Sequence, residues 1–271
     1  MDEQERLPRL AASSYLNSAP LIWSFTNGTK RAEVIIGDAV PSDCADLLSR
    51  GAVEAALVPV IEYQRIGEIY LAPGVCVGSK ERVRSVVLVT RADDLKKVRS
   101  VALDESSRTS ATLVKIIFQE FMGVEPAWQT AVPDLQRMLK ENDGALIIGD
   151  PGMTFSRKGF HVWDLASLWR QYTGLGFMFA MWMIRDDATS AARNLDFKGA
   201  RDEGLASLGE IVAHYENLLS LSHEDIIEYL TNNISFAPDE TMEQGMRLYF
   251  ELAYKHGLIQ EVKPLRFGIK S

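Results

Sequence analysis

Two stretches of this chain set hydroxyl and amide side chains directly after a short apolar strand and directly before a helix. In the first, Leu10 to Ala12 reads as the strand, and Ser13-Ser14-Tyr15-Leu16-Asn17-Ser18-Ala19-Pro20-Leu21 as the turn and helix start. The first amides of a helix have no intrahelical acceptor and the peptide dipoles leave positive potential there, so such a turn suits an anion. Ser13, Ser14 and Asn17 add side-chain donors, and Pro20 fits a first turn that needs no N–H. In the second stretch Ser100 to Asp104 is the strand, and Glu105-Ser106-Ser107-Arg108-Thr109-Ser110 opens a helix carrying Leu113, Ile116, Ile117 and Phe121. One side chain satisfies a cap, whereas residues 106 to 110 supply four hydroxyls and a guanidinium. That surplus points to recognition of a carboxylate or phosphate; a capping cluster with a solvated arginine is the other reading the same residues allow.

The elements that must position these turns follow from hydrophobic period. Glu33 to Ile36 predicts a strand, Ser42 to Arg50 a helix stopped by Gly51, and Ala55 to Val60 a further apolar strand ending near Val58-Pro59. A strand-helix-strand unit with continuous apolar strands implies a parallel sheet, whose ligand crevice lies beyond the carboxyl ends of its strands. Ile69 to Leu71, Cys76 to Ser79 and the β-branched Ser85 to Thr90 are further strands. After the charged loop 91–99 the layout repeats: strand 100–104, helix 109–122, a short strand near Ala127 to Gln129, helix Pro133 to Glu141, and strand Ala145 to Ile148 running into Gly149-Asp150-Pro151-Gly152. Asp164 to Tyr172 predicts an amphipathic helix, Phe177 to Ile184 a fully buried strand, and the remainder is helical, with a capping box at Ser222 to Asp225 and a last helix from about Asp239 to Gly257. Two lobes around a cleft are expected, lobe I from 1–95 plus 178–271 and lobe II from 96–177, with chain crossings near 91–99 and 173–178 that act as hinges.

Composition narrows the function classes. With 46% hydrophobic and 24% charged residues over 271 positions, the chain is globular and builds a large core. Net charge −8 and the lack of any extended basic face argue against a nucleic-acid partner. The charged opening Met1 to Leu10 lacks the apolar stretch of a secretory signal, and no run is long enough to span a membrane, so a cytoplasmic protein is expected. Cys44 and Cys76 fit buried or idle thiols, and His161, His214, His223 and His256 have no metal-ligand spacing, so neither disulfide, metal nor cofactor is expected. Dinucleotide, P-loop and serine-hydrolase signatures are absent from the sequence.

Residues 14–21, Val58-Pro59-Val60-Ile61-Glu62-Tyr63, Arg84 to Leu88, Ser107-Arg108-Thr109-Ser110, Leu146-Ile147-Ile148-Gly149-Asp150, Trp169 to Phe177 and Phe250 to Ile259, taken in order, resemble the chorismate dehydratases of the futalosine route to menaquinone. Gly176, where the family often has proline, and Pro151-Gly152, where alanines are more usual, depart from its pattern without removing a polar group. The resemblance implies an α/β, two-lobed, periplasmic-binding-protein-like (type II) fold with a helical C-terminal region. It also implies a hydro-lyase that removes water from chorismate, a dianion, to give 3-enolpyruvyl-benzoate without a cofactor. Under it Ser14, Val58, Ser106, Ser107, Arg108, Thr109, Ser110 and Tyr172 are expected to bind substrate, and Asn17 and Ser85 to orient the enolpyruvyl ether or the departing hydroxyl. The proton acceptor is either the substrate's own enolpyruvyl carboxylate or Asp150, whose Gly-Asp-Pro setting also reads as simple turn chemistry. Trp182 reads as core, with a place in the cleft wall as the other reading. A dihydroxynaphthoate synthase-like enzyme of the same pathway and a small-anion-binding protein without chemistry are the rival readings.

Overall fold

The computed structural model describes residues 6–268; Met1 to Glu5 of the charged opening, and Ile269 to Ser271, lie outside the described residues. Strands run in chain order as β1 (Arg9–Ala12), β2 (Ile35–Asp38), β3 (Ala55–Pro59), β4 (Ile69–Leu71), β5 (Val77–Ser79), β6 (Val86–Thr90), β7 (Ser100–Asp104), β8 (Ala127–Ala131), β9 (Gly144–Ile148), β10 (His161–Asp164) and β11 (Phe177–Arg185). Helices are α1 (Ala19–Thr26), α2 (Pro41–Ser49), α3 (Thr109–Ile116), α4 (Leu135–Glu141), α5 (Gly149–Thr154), α6 (Leu165–Thr173), α7 (Ser190–Arg193), α8 (Phe197–Ala206), α9 (Leu208–Leu219), α10 (His223–Glu228) and α11 (Glu240–Lys255).

The strands form two sheets with one plan. Sheet one has the order β2-β1-β3-β11-β4, with β5 also on β11, and sheet two the order β8-β7-β9-β6-β10. In each, the first three strands are parallel and the fourth is antiparallel to the third. That fourth strand is the one arriving from the other lobe: β11 enters sheet one after α6, and β6 enters sheet two after β5. The central strands β3, β6 and β9 are buried along their whole length, which is why they read as unbroken apolar runs. Trp182 on β11 packs edge-on to Phe25 and against Phe197, the core position expected of it; its truncation to alanine costs ~3–5 kcal/mol.

Sheet two contains β6, so the crossing between lobes falls between Ser79 and Val86 and not at 91–99. Residues up to 95 therefore do not all belong with the first sheet. The charged loop joins two strands of one sheet: Asp94 caps a short turn by accepting from Lys96 N, and Leu95 and Val98 are buried beneath it. Its charge density marks a solvated surface, not a hinge. At the true crossing Arg84 adopts φ 63°, a left-handed conformation rare for a side-chain-bearing residue. Asp164 holds it there by accepting from Arg84 N at 2.7 Å and from Val83 N at 3.2 Å. The return crossing, Gly174 to Gly176, lies where the sequence places it, with Gly174 closing α6 at φ 72°. A further element was not anticipated: Gly149 to Thr154 is the helix α5 and not an isolated turn.

Candidate active site

Beyond the carboxyl ends of the parallel strands the lobes face one another across a narrow cleft that is partly open to solvent. Sheet one contributes Ser13, Tyr15, Asn17 and Ser18 after β1, and Leu57 and Pro59 from β3; sheet two contributes Ser107 to Ser110 after β7, and Ile148 and Gly149 after β9. Val77, Val86, Phe179 and Ala180, on strands next to the crossings, make an apolar wall.

The two strand-helix turns face this space but differ in state. At α3 the first intrahelical bond runs from Thr112 N to Arg108 O, so helical geometry leaves the amides of Thr109, Ser110 and Ala111 without intrahelical acceptors. No side chain caps this helix and no acidic residue sits in its first turn. At the other turn, Leu16 N donates to Asp150 Oδ1 at 3.0 Å across the cleft. The protein's own carboxylate thus fills the start of the short 3-10 turn Leu16–Ser18 that leads into α1. Gly149 makes the approach possible: it sits at φ 64°, and a Cβ there would lie 2.7 Å from the Tyr15 ring.

Burial pushes the Asp150 carboxyl up to about 6, against the opposing pull of the Leu16 amide. The Tyr15 phenol is also raised, first by burial and then by the charge of Asp104, so it remains a protonated donor at neutral pH. Asn17 Oδ1 accepts from Ser18 Oγ at 3.2 Å, which leaves its NH₂ group as the free donor.

Asn17, Ser107, Arg108, Thr109 and Ser110 are therefore brought together, while the other expected residues are not cleft walls. Ser14 is exposed and bonded through N and Oγ to Asp38, both at 2.9 Å. Val58 is buried in the core, because the alternation of β3 turns Leu57 and Pro59 to the cleft. Ser106 is spent on Asp104, donating from N at 2.9 Å and from Oγ at 2.6 Å. Ser85 is 1% exposed and accepts from Tyr229 OH at 2.6 Å, bracing the crossing beneath Val86. Tyr172 lies on the outer side of α6, where its ring stacks on Phe121 with centroids 4.6 Å apart. Arg108 reaches the cleft rim, but its Nη1 donates to Glu62 at 3.0 Å and its Nη2 to Asp46 at 2.7 Å.

Ser13, read from the sequence as a donor of the first turn, does line the cleft, whereas Tyr15, Ser18 and Phe179 were missed as wall residues. Tyr15 and Ser18 sit inside the opening motif, and the strand end of β1 was the signal that would have found them. Among the described residues no group of three or more His, Cys, Asp or Glu is placed to hold a metal ion. Cys44 and Cys76 are free and buried, and burial pushes the Cys44 thiol up to about 12.

The sequence model for menaquinone biosynthesis proteins matches residues 8–255 of this chain. The chain belongs to the menaquinone biosynthesis family. A family relative, the chorismate dehydratase of Thermus thermophilus, is 29% identical over 79% of this chain and 84% of its own length. Among solved structures, protein AF1704 from Archaeoglobus fulgidus superposes with a TM-score of 0.69 at 17% identity, covering 95% of this chain and all, 100%, of that one. CA3427 of Candida albicans, described as having the generic periplasmic binding protein fold, gives 0.64 at 15% identity over 95% and 92% of the two chains. The aliphatic sulphonate binding protein SsuA of Escherichia coli gives 0.62 at 14% identity over 98% and 94%. This family member therefore has the periplasmic-binding-protein fold, and its two sheets of identical strand order are the two lobes. No described helix is long and apolar enough to cross a membrane.

Proposed function

We propose that this protein is a chorismate dehydratase, a cytoplasmic hydro-lyase that converts chorismate to 3-enolpyruvyl-benzoate in the futalosine route to menaquinone. The observation that carries the reading is the uncapped start of α3, whose free amides and hydroxyls face Asn17 and Ser18 across an apolar-walled cleft. One substrate carboxylate docks on the amides of Thr109 and Ser110 with help from the Ser107 hydroxyl. The diene ring lies against Leu57, Val86 and Phe179, and the NH₂ group of Asn17 donates to the enolpyruvyl ether or to the departing hydroxyl.

In the reaction a proton leaves the ring carbon that carries the ether, its C–H electron pair becomes a ring double bond, and the neighbouring C–O bond breaks with its pair on oxygen. Proton and hydroxide together are one water, with no change of oxidation state, and aromatisation drives the step. What the protein supplies is orientation and exclusion of solvent. An amide has no useful pKa, Ser85 is bonded to Tyr229, and the Asp150 carboxyl is turned onto Leu16. The substrate's own enolpyruvyl carboxylate is then the proton acceptor.

The test is to mix purified protein with chorismate and follow the mixture by mass spectrometry. The expected product has lost one water. Chorismate returned unchanged but retained by the protein would replace the enzyme with a binding protein.

A further inference from the structure

Among the described residues Arg108 carries the only guanidinium in the cleft wall and stands at the mouth of the anion site, yet both ends of its planar fork are used on the opposite lobe. Glu62, which takes Nη1, has a side chain only 4% exposed, and its other oxygen accepts from Arg65 at 2.8 Å within lobe I. Asp46, which takes Nη2, lies on α2 with a side chain 57% exposed. Two neighbouring bonds tie the same turn to the rest of the molecule: Ile61 N donates to Thr109 Oγ1 at 3.3 Å and Tyr249 OH to the Thr109 carbonyl at 3.0 Å.

We propose that Arg108 is a positioning residue that straps lobe II to lobe I over the cleft, aiming the α3 amides at the bound acid without itself binding that acid. The proposal rests on the cleft being the substrate site, as argued above. Parting the lobes withdraws Arg108 from both carboxylates and leaves the buried Glu62 with Arg65 as its only cation, a state that buried carboxylates resist. The Glu62 arm therefore dominates. The Asp46 arm, screened by solvent, contributes less. Lysine at 108 keeps the charge but lacks the planar fork that two separate carboxylates require.

Small-angle X-ray scattering of the full chain without substrate reads the strap directly. The Arg108→Gln and Arg108→Lys proteins should have a larger radius of gyration than the parent, and Asp46→Asn, at an exposed site that folding tolerates, a smaller increase of the same sign. With chorismate the parent dimensions should return. KM should rise about tenfold in Arg108→Gln while kcat stays within about twofold, because closure draws on binding energy and the chemistry is untouched. Arg108→Lys should recover only part of that loss. An unchanged radius of gyration in Arg108→Gln overturns the strap, as does a collapse of kcat at unaltered dimensions, which would make Arg108 a substrate ligand. If chorismate proves not to be the substrate, the scattering result still decides the strap by itself.

Discussion

The turns after β1 and β7 are built alike from strand, hydroxyl cluster and helix start, but one is occupied by the protein and the other is open. Neither α1 nor α3 has a side-chain cap or an acidic residue in its first turn, but Asp150, from sheet two, accepts from Leu16 N in the 3-10 turn that leads into α1, and α3 has no such partner among the described residues. The difference teaches that a helix start becomes a ligand site by what the rest of the fold withholds from it. Ser and Asn residues before a helix mark a place where an anion is favoured. Whether that anion is substrate depends on a side chain more than a hundred positions away, 134 for Leu16 and Asp150.

Giving the open turn a carboxylate of its own should abolish the contrast. Ser107→Asp makes the α3 start resemble the filled one, and kcat/KM should fall by at least ~100-fold, equivalent to ~2.7 kcal/mol. Asn17→Ala, which removes the donor on the facing turn, should lower kcat by ~100-fold in steady-state kinetics.

Emptying the filled turn should touch stability more than turnover. The folded Asp150 carboxyl is raised to about 6 from an ordinary 3.8, so the folded protein keeps this proton to higher pH than the unfolded chain does. The stability it contributes is fully present below about pH 4 and is lost as pH rises through about 6. Asp150→Asn retains an acceptor for Leu16 without the charge. Denaturant titrations should show it gaining on the parent between pH 4 and 7, by ~2–3 kcal/mol at the upper end. Its turnover should remain within a few-fold of the parent; total loss would make Asp150 the base.

The smallest effect is expected away from both turns. Tyr172→Ala should leave kcat and KM within about twofold and lower stability by ~1 kcal/mol through the lost stack on Phe121, read by thermal denaturation.

Much of the fold was legible because its signals are local. The apolar runs of β3, β6, β9 and β11, the Ser222 cap accepting from Asp225 N, and the Gly174 stop all lie within a few residues of what they control. The position of the first crossing was not legible, because β6 is apolar on both faces and nothing in its composition says which sheet will cover it. The same limit divides the site residues. Ser107, Thr109, Ser110 and Asn17 reach the cleft from turns whose direction the strands fix. Ser14, Ser106 and Ser85 were claimed by Asp38, Asp104 and Tyr229, partners that only tertiary pairing brings near. Arg108 is the sharpest case, since an arginine at an anion site and an arginine strapping two lobes have the same sequence signature.

The most direct measurement is a crystal structure of the protein with chorismate or its dehydrated product bound. One ligand carboxylate should lie within hydrogen-bond distance of the Thr109 and Ser110 amides, with Asp150 still on Leu16. A ligand carboxylate seated on Leu16 with Asp150 displaced, or a ligand outside the cleft, would contradict it.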